Sequence, residues 1–390
     1  MPKSIGILTW HRTTNPGAFL QAFSQAAALQ ERFPDDEVKI VDLRSRSRRS
    51  GHLRDILSDF ARGKFNTFRD ARRYSRAVSS YLPLDGPPIQ ADDYEEALSD
   101  LDARYDVLVV GSDELWKTLS PNSGLPFPNP FFLSPQLRAK KIAFAVSANG
   151  CPRKGVPEDR LKLASDLVDA FDFLGVRDDH TIALLQDLGT PRENIHKVPD
   201  PTFSFRPPVD SREAVARAFR RVGLRNARKI VGVYGYFDSN PMLDCLRDAL
   251  NTFEKRGWTV VSMKYDQDIT QKSLHGLLDP FQWAEAFKRM DLCITNTFHG
   301  TLFSIMGDTP VMSIEQGSYY KEHKGKISDV LEDMDLSDLC VRFSDRMSSD
   351  DLVDRALWVR SCWSDLMVAR RVVEMRNRYY KKVDEMSAVL

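Results

Sequence analysis

The chain has no excess charge of either sign: Lys plus Arg and Asp plus Glu stand at 55 each over 390 residues. No global field therefore selects nucleic acid or a membrane surface, and an anionic ligand must be recognised locally. Cysteine is scarce and scattered. Cys151, Cys245, Cys293, Cys340 and Cys362 form no C-x-x-C pair, which argues against a disulfide framework or a zinc site and leaves buried thiols as the plain reading. No stretch approaches the ~20 consecutive apolar residues of a spanning helix, and the chain runs straight into Ile5-Gly-Ile-Leu-Thr-Trp10 without a leader-like apolar core, so a cytoplasmic protein is expected. The seven histidines show no paired ligand spacing, and neither a metal nor another cofactor is expected. A G-x-G-x-x-G turn, a fixed-period repeat and a low-complexity tract are also missing.

What is present is a regular alternation of strand and helix. A chain of 390 residues is long for one core; it fits two α/β domains plus extensions, and two domains imply a cleft. Apolar runs at Ile5–Trp10, Val38–Val41, Asp106–Val110, Lys141–Val146 and Phe173–Val176 read as strands of a first domain. Ala18–Leu29 between the first two reads as a helix, so they form a βαβ opening with a parallel pair. The first domain is placed at residues 1–205, with a basic, largely helical insertion at about 44–90. Between Arg44 and Arg76 eleven basic residues face three aspartates, and Leu53, Ile56, Leu57 and Phe60 recur at helical spacing. A solvated face is the plainer reading of that segment; a grip on an anionic acceptor, such as a lipid-diphosphate-linked or acidic sugar, is the functional one, and it leaves a peripheral membrane contact open. Ser120–Pro135 reads as an irregular surface loop, and Asp200–Val209, with three prolines, as the linker. Lys229–Tyr234, Trp258–Met263 and Leu292–Ile294 open a second series at 206–345, and the helical residues 346–390 form a tail that packs back.

The most telling stretch is Asp291 to Ile314. An apolar run ends at Thr295-Asn296-Thr297, and a helix carrying Leu302, Phe303, Ile305 and Met306 follows. His299 therefore sits where a strand's carboxyl end meets a helix amino terminus, the place where open α/β sheets bind ligands and where an anion is favoured. Polar residues also close the earlier strands: Asn15, Gly17 and Gln21 after the first, Ser112, Asp113 and Trp116 after Val110, Asn149 after Val146, and Arg177 after Val176. Arg177 offers a bidentate fork for a carboxylate. Asp113 reads either as a base or as a turn cap, and Trp116 either as a stacking face for a sugar ring or as packing.

These pieces, taken in order, resemble the polysaccharide pyruvyltransferase family: Asn15-Pro-Gly-Ala-Phe-Leu-Gln21, Asp106 through Trp116, Phe144 through Gly150, Gly175-Val-Arg-Asp178, Val198 through Thr202, and Thr295 through Pro310. The resemblance implies two Rossmann-like domains facing a cleft, similar to the B-type glycosyltransferase (GT-B) fold. It also implies transfer of the enolpyruvyl unit of phosphoenolpyruvate to a saccharide or glycan precursor, with phosphate release and ketal formation. His299 matches the family's essential histidine and is assigned proton transfer or phosphate stabilisation, with Arg177 and Asp113 as its catalytic companions. Asn15, Gly17, Gln21, Ser112, Trp116, Asn149, Asn296, Thr297, Gly300, Glu315 and Lys321 are the expected substrate contacts; Lys321, with Lys324 and Lys326 close by, is the candidate phosphate cation. Pro16 stands where the family often has an aromatic residue, which bears on the acceptor. The alternative is a GT-B glycosyltransferase using a nucleotide-activated sugar, in which Glu315 would hold a ribose hydroxyl. The acceptor, which could be nucleotide- or lipid-linked, and the oligomeric state are not legible in the sequence.

Overall fold

The computed structural model describes residues 2–44, 58, 65–90, 93–120, 126–148, 151, 156–237, 240–264, 269–316, 324–344 and 346–390. The chain divides into two compact units, one of Met1–Ser58, Ser75–Arg206 and Met375–Leu390, the other of Asp59–Tyr74 and Pro207–Glu374.

The first unit is built on seven strands, β1 (Ser4–Leu8), β2 (Glu37–Arg44), β3 (Leu84–Gln90), β4 (Val107–Val110), β5 (Lys140–Val146), β6 (Phe173–Val176) and β7 (Ile195–Lys197), in the order β3-β2-β1-β4-β5-β6-β7. Every pairing is parallel. Parallel strands covered on both faces need no alternation, and β4 and β6 are accordingly buried at every position. β3 escapes the periodicity because Leu-Asp-Gly-Pro-Pro-Ile-Gln breaks it. Proline cannot donate to a ladder and is tolerated at a sheet's edge, where β3 lies.

The second unit carries β8 (Ile230–Tyr234), β9 (Thr259–Ser262), β10 (Leu292–Thr295), β11 (Val311–Glu315) and β12 (Cys340–Arg342), in the order β12-β11-β10-β8-β9, again all parallel. Its core joins β8, β10 and β11 to the helices Asn240–Lys255 and Ser349–Cys362 through Leu246, Leu250, Phe253, Leu352 and Val353. No helix among the described residues is long and apolar enough to cross a membrane.

Three sequence expectations need correction. The division falls after Arg206, within the expected linker Asp200–Val209, but the start of that segment is not a loose connection: Pro201–Ser204 is a buried 3-10 turn. Ser120–Pro135 is not wholly a surface loop, because Phe131, Phe132 and Leu133 are in the core. The basic insertion is not one piece of the first domain either. Its edge strand β3 belongs to the first sheet, whereas the described residues 65–74 group with the second unit; its apolar positions 53, 56, 57 and 60 lie outside the described residues. Side chains account for that grouping. Asp70 of the helix Phe65–Tyr81 lies 3.7 Å from Lys264 and 3.4 Å from His275, Arg73 Nε donates to Gly276 O at 3.1 Å, and the Lys264 ammonium stands 4.8 Å from the Tyr74 ring centre. Gly276 has φ +74° and a Cβ there would sit 3.0 Å from Asn66 Cα, so glycine suits this contact on both counts.

Burial pushes the Lys264 ammonium down to about 8, against the pull of Asp70. From about pH 8 upward the unfolded chain binds a proton that the folded chain has shed, so this group's contribution to stability rises with pH towards the ordinary lysine range near 10. The stability of the wild type relative to Lys264→Met, measured by urea unfolding, should therefore climb between about pH 8 and about pH 10 by on the order of 1–3 kcal/mol. A difference that stays flat across that window would refute the reading.

Candidate active site

In the first unit the strand ends converge on a buried network rather than on an open surface. Arg177 follows β6 directly. Its Nη1 donates to Asp200 Oδ2 at 2.8 Å, with the two side chains 4% and 0% exposed. Burial opposes the guanidinium's charge, yet Asp200, Asp113, Asp178 and Glu114 hold it more firmly protonated than a free arginine. Asp200 also receives Gln21 Nε2 at 3.0 Å and, on its other oxygen, Thr202 N at 2.9 Å and Thr202 Oγ1 at 2.7 Å.

Ser112 is held on every polar atom. Its N donates to Gln25 Oε1 at 2.5 Å, its carbonyl accepts from Thr9 Oγ1 at 2.6 Å, and its Oγ donates to Ala145 O at 3.0 Å while accepting from Gln21 Nε2. Such saturation lets the turn around it keep an unusual backbone. Gly111 stands at φ +125°, where a Cβ would lie 2.1 Å from Phe144 O, and Asp113 at φ +120°. A non-glycine residue in that region stores strain, and such residues cluster at functional sites. Asp113 is half-buried, and its Oδ1 accepts from Glu114 N at 2.7 Å.

Several expected substrate contacts therefore have other work. Arg177 serves Asp200, and Gln21 and Ser112 are fully buried members of the same network. Trp116 is 2% exposed, stacks on Phe132, and donates Nε1 to Phe131 O at 2.9 Å, so it is core and not a sugar platform. Asn15 is the N-cap of the helix Pro16–Arg32, accepting from Gly17 N at 2.9 Å. Asn149 lies outside the described residues. A group that sequence reasoning missed is Asp42 on β2, which takes Arg12 Nε at 2.5 Å and Arg44 Nη2 at 2.9 Å, with His11 Nε2 3.5 Å away. Burial works against its charge, but Arg12, His11 and Arg44 hold the carboxyl far below the usual range. The adjacent His11-Arg12 pair was the available signal.

In the second unit the Thr295–Gly300 stretch assigns a task to each residue. Thr295 Oγ1 donates to Tyr234 O at the end of β8 and accepts from Thr297 N at 3.1 Å. Asn296 clamps the next loop, accepting from Tyr236 N at 3.0 Å and donating to Tyr236 O at 2.5 Å. Thr297 is the N-cap of the helix Phe298–Met306, accepting from Gly300 N at 3.1 Å. Gly300 is demanded by space: a Cβ would meet Thr295 Oγ1 and Thr297 Oγ1 at 2.4 Å. Asn296, Thr297 and Gly300 thus shape the turn, a different part from the substrate contact read from sequence. His299 is the titratable member, half-buried in the helix's first turn, its ring edge-on to Phe298 at 5.2 Å.

Around this turn lie the ends of β8 and β11. Glu315 is buried and accepts from Ser328 N at 3.0 Å and Ser328 Oγ at 3.0 and 3.1 Å, which ties it to the first turn of the helix Lys326–Asp333. Lys321 lies outside the described residues. Lys324 is engaged by Asp329 and Glu332, whereas the Lys326 ammonium stands 5.8 Å from the Phe298 ring centre, on the side chain next to His299. No group of three or more His, Cys, Asp or Glu side chains suited to a metal ion occurs among the described residues.

Two Rossmann-type units with parallel sheets define the GT-B fold, and similar solved structures share it. The chain is 10% identical to Anabaena HepE in complex with UDP, with a TM-score of 0.54 and full coverage of both chains. It is 11% identical to the spinosyn forosaminyltransferase SpnP, with a TM-score of 0.55 and again full coverage of both. The Methanocaldococcus jannaschii UDP-GlcNAc 2-epimerase is 10% identical, with 92% of this chain and 93% of that one covered and a TM-score of 0.51. No curated protein matches the chain. The polysaccharide pyruvyl transferase family matches residues 15–318, so the chain belongs to that family and is a transferase.

The buried pair makes a stability prediction. Arg177→Met leaves Asp200 charged in the interior and should lower the unfolding free energy by about 3–5 kcal/mol. Adding Asp200→Asn should recover part of the loss. A fully stable Arg177→Met protein, judged by thermal unfolding, would contradict this role.

Proposed function

We propose that this transferase moves the enolpyruvyl unit of phosphoenolpyruvate onto hydroxyls of a saccharide or glycan precursor, forming a ketal and releasing phosphate. The observation that carries the reading is the placement of His299: a half-buried imidazole in the first turn of the helix Phe298–Met306, at the carboxyl end of β10, in a chain of the pyruvyl transferase family. The helix amino terminus favours an anion, and the Lys326 ammonium beside Phe298 adds a positive charge. Phosphoenolpyruvate, small and densely anionic, suits that combination.

The chemistry needs one proton donor and an anion cradle. His299 protonates the methylene carbon, and the developing positive charge at C2 draws in an acceptor hydroxyl, which forms a C–O bond and gives up its proton. The C2–O bond to phosphate then breaks, the phosphate leaving with that proton. A second hydroxyl closes the ring on C2, and its proton returns to His299. Lys326 and the helix end stabilise the phosphate as it departs. No cofactor enters this scheme.

Phosphate release from phosphoenolpyruvate, assayed against a panel of nucleotide- and lipid-linked sugars, should depend on the acceptor. His299→Ala should lower kcat by about a hundredfold or more, the range of a lost general acid. Lys326→Ala should mainly raise KM for phosphoenolpyruvate. Wild-type turnover in His299→Ala, or thermal protection by UDP with none by phosphoenolpyruvate, would overturn the reading, the latter in favour of a nucleotide-sugar transferase.

A further inference from the structure

We propose that one flank of the helix Phe65–Tyr81 is a contact surface for an anionic lipid membrane. At about 100° per residue, positions 65, 68, 69, 72 and 76 fall on one stripe of the helix. Phe65 is 52% and Phe68 46% exposed, and Arg69, Arg72 and Arg76 are exposed as well. The opposite flank is occupied. Asp70 and Tyr74 are buried, with Asp70 paired to Lys264 and His275 and Tyr74 beneath the Lys264 ammonium. The helix is thus anchored along one side and presents the stripe on the other.

Charge and shape together favour a lipid surface. Asp70 is the one acid in the helix sequence and is engaged on the buried side, so no carboxylate within the helix neutralises the stripe. Eleven basic residues against three aspartates between Arg44 and Arg76 make this a strongly basic segment in a chain whose total charge is zero. Guanidinium groups flanking two phenylalanines one turn apart suit a headgroup boundary: the rings enter the acyl edge while the arginine stems lie along it and the heads stay with lipid phosphates. A polyanion would match the arginines but offers no apolar phase to two rings that are about half exposed. The proposal does not depend on the identity of the donor substrate.

The test is cosedimentation of the full-length protein with vesicles of phosphatidylcholine alone and of phosphatidylcholine containing one-third phosphatidylglycerol. Binding should require the anionic lipid and should fall away at high salt, where the Debye length shrinks to a few ångströms. Arg69→Gln/Arg72→Gln should weaken partitioning about twenty-fivefold, at about fivefold per arginine. Phe65→Ser/Phe68→Ser should weaken it about tenfold or more, with thermal unfolding and phosphate release from phosphoenolpyruvate unchanged. Equal partitioning of the wild type and both variants, undiminished binding to neutral vesicles, or binding to a soluble polyanion without binding to vesicles would each overturn the proposal.

Discussion

A guanidinium and a carboxylate, both shut off from water, organise the first unit. Arg177 and Asp200 meet at 2.8 Å, and Asp200 reaches Gln21 in the first helix and Thr202 in the turn that follows. Gln21 in turn holds Ser112, whose remaining polar atoms bind Gln25, Thr9 and Ala145. A buried charge is costly unless paired and hydrogen-bonded throughout. The chain therefore has little freedom in how β1, β4, β5 and β6 end, and Asp113 can be kept in a backbone conformation that few side chains adopt. The end of the final helix adds to this unit: Tyr379 is buried against Phe144, and Arg376 Nε donates to Phe203 O at 2.8 Å.

The second unit meets the same problem with neutral groups. Where β10 gives way to its helix, two threonines, an asparagine and a glycine satisfy one another and the neighbouring β8 loop. Glu315, the nearest acid on β11, is held by Ser328 at the head of another helix.

Much of the architecture was legible in advance because buried parallel strands write themselves as unbroken apolar runs. Val107–Val110, Phe173–Val176 and Leu292–Thr295 were plain for that reason. The edge strands Leu84–Gln90, Ile195–Lys197 and Cys340–Arg342 were not, since each is short or broken by proline and only partly buried. At the site, His299 and its turn could be placed from local order alone. Arg177, Gln21, Ser112 and Trp116 were located at the right strand ends, but sequence position does not reveal depth below the surface, and all four are buried.

The sequence by itself determined the αβ alternation, the membership of the family and the position of His299 at a strand-to-helix junction, all of which follow from local periodicity and the order of short motifs. Tertiary structure alone decided which polar side chains are used up inside. Asp200 lies 23 residues from Arg177 and Gln21 lies 91 from Ser112 along the chain. It likewise decided that Asp70, on the helix Phe65–Tyr81, belongs with Lys264 and His275. Burial and pairing depend on what the folded chain brings together across such distances, and no local pattern carries that information.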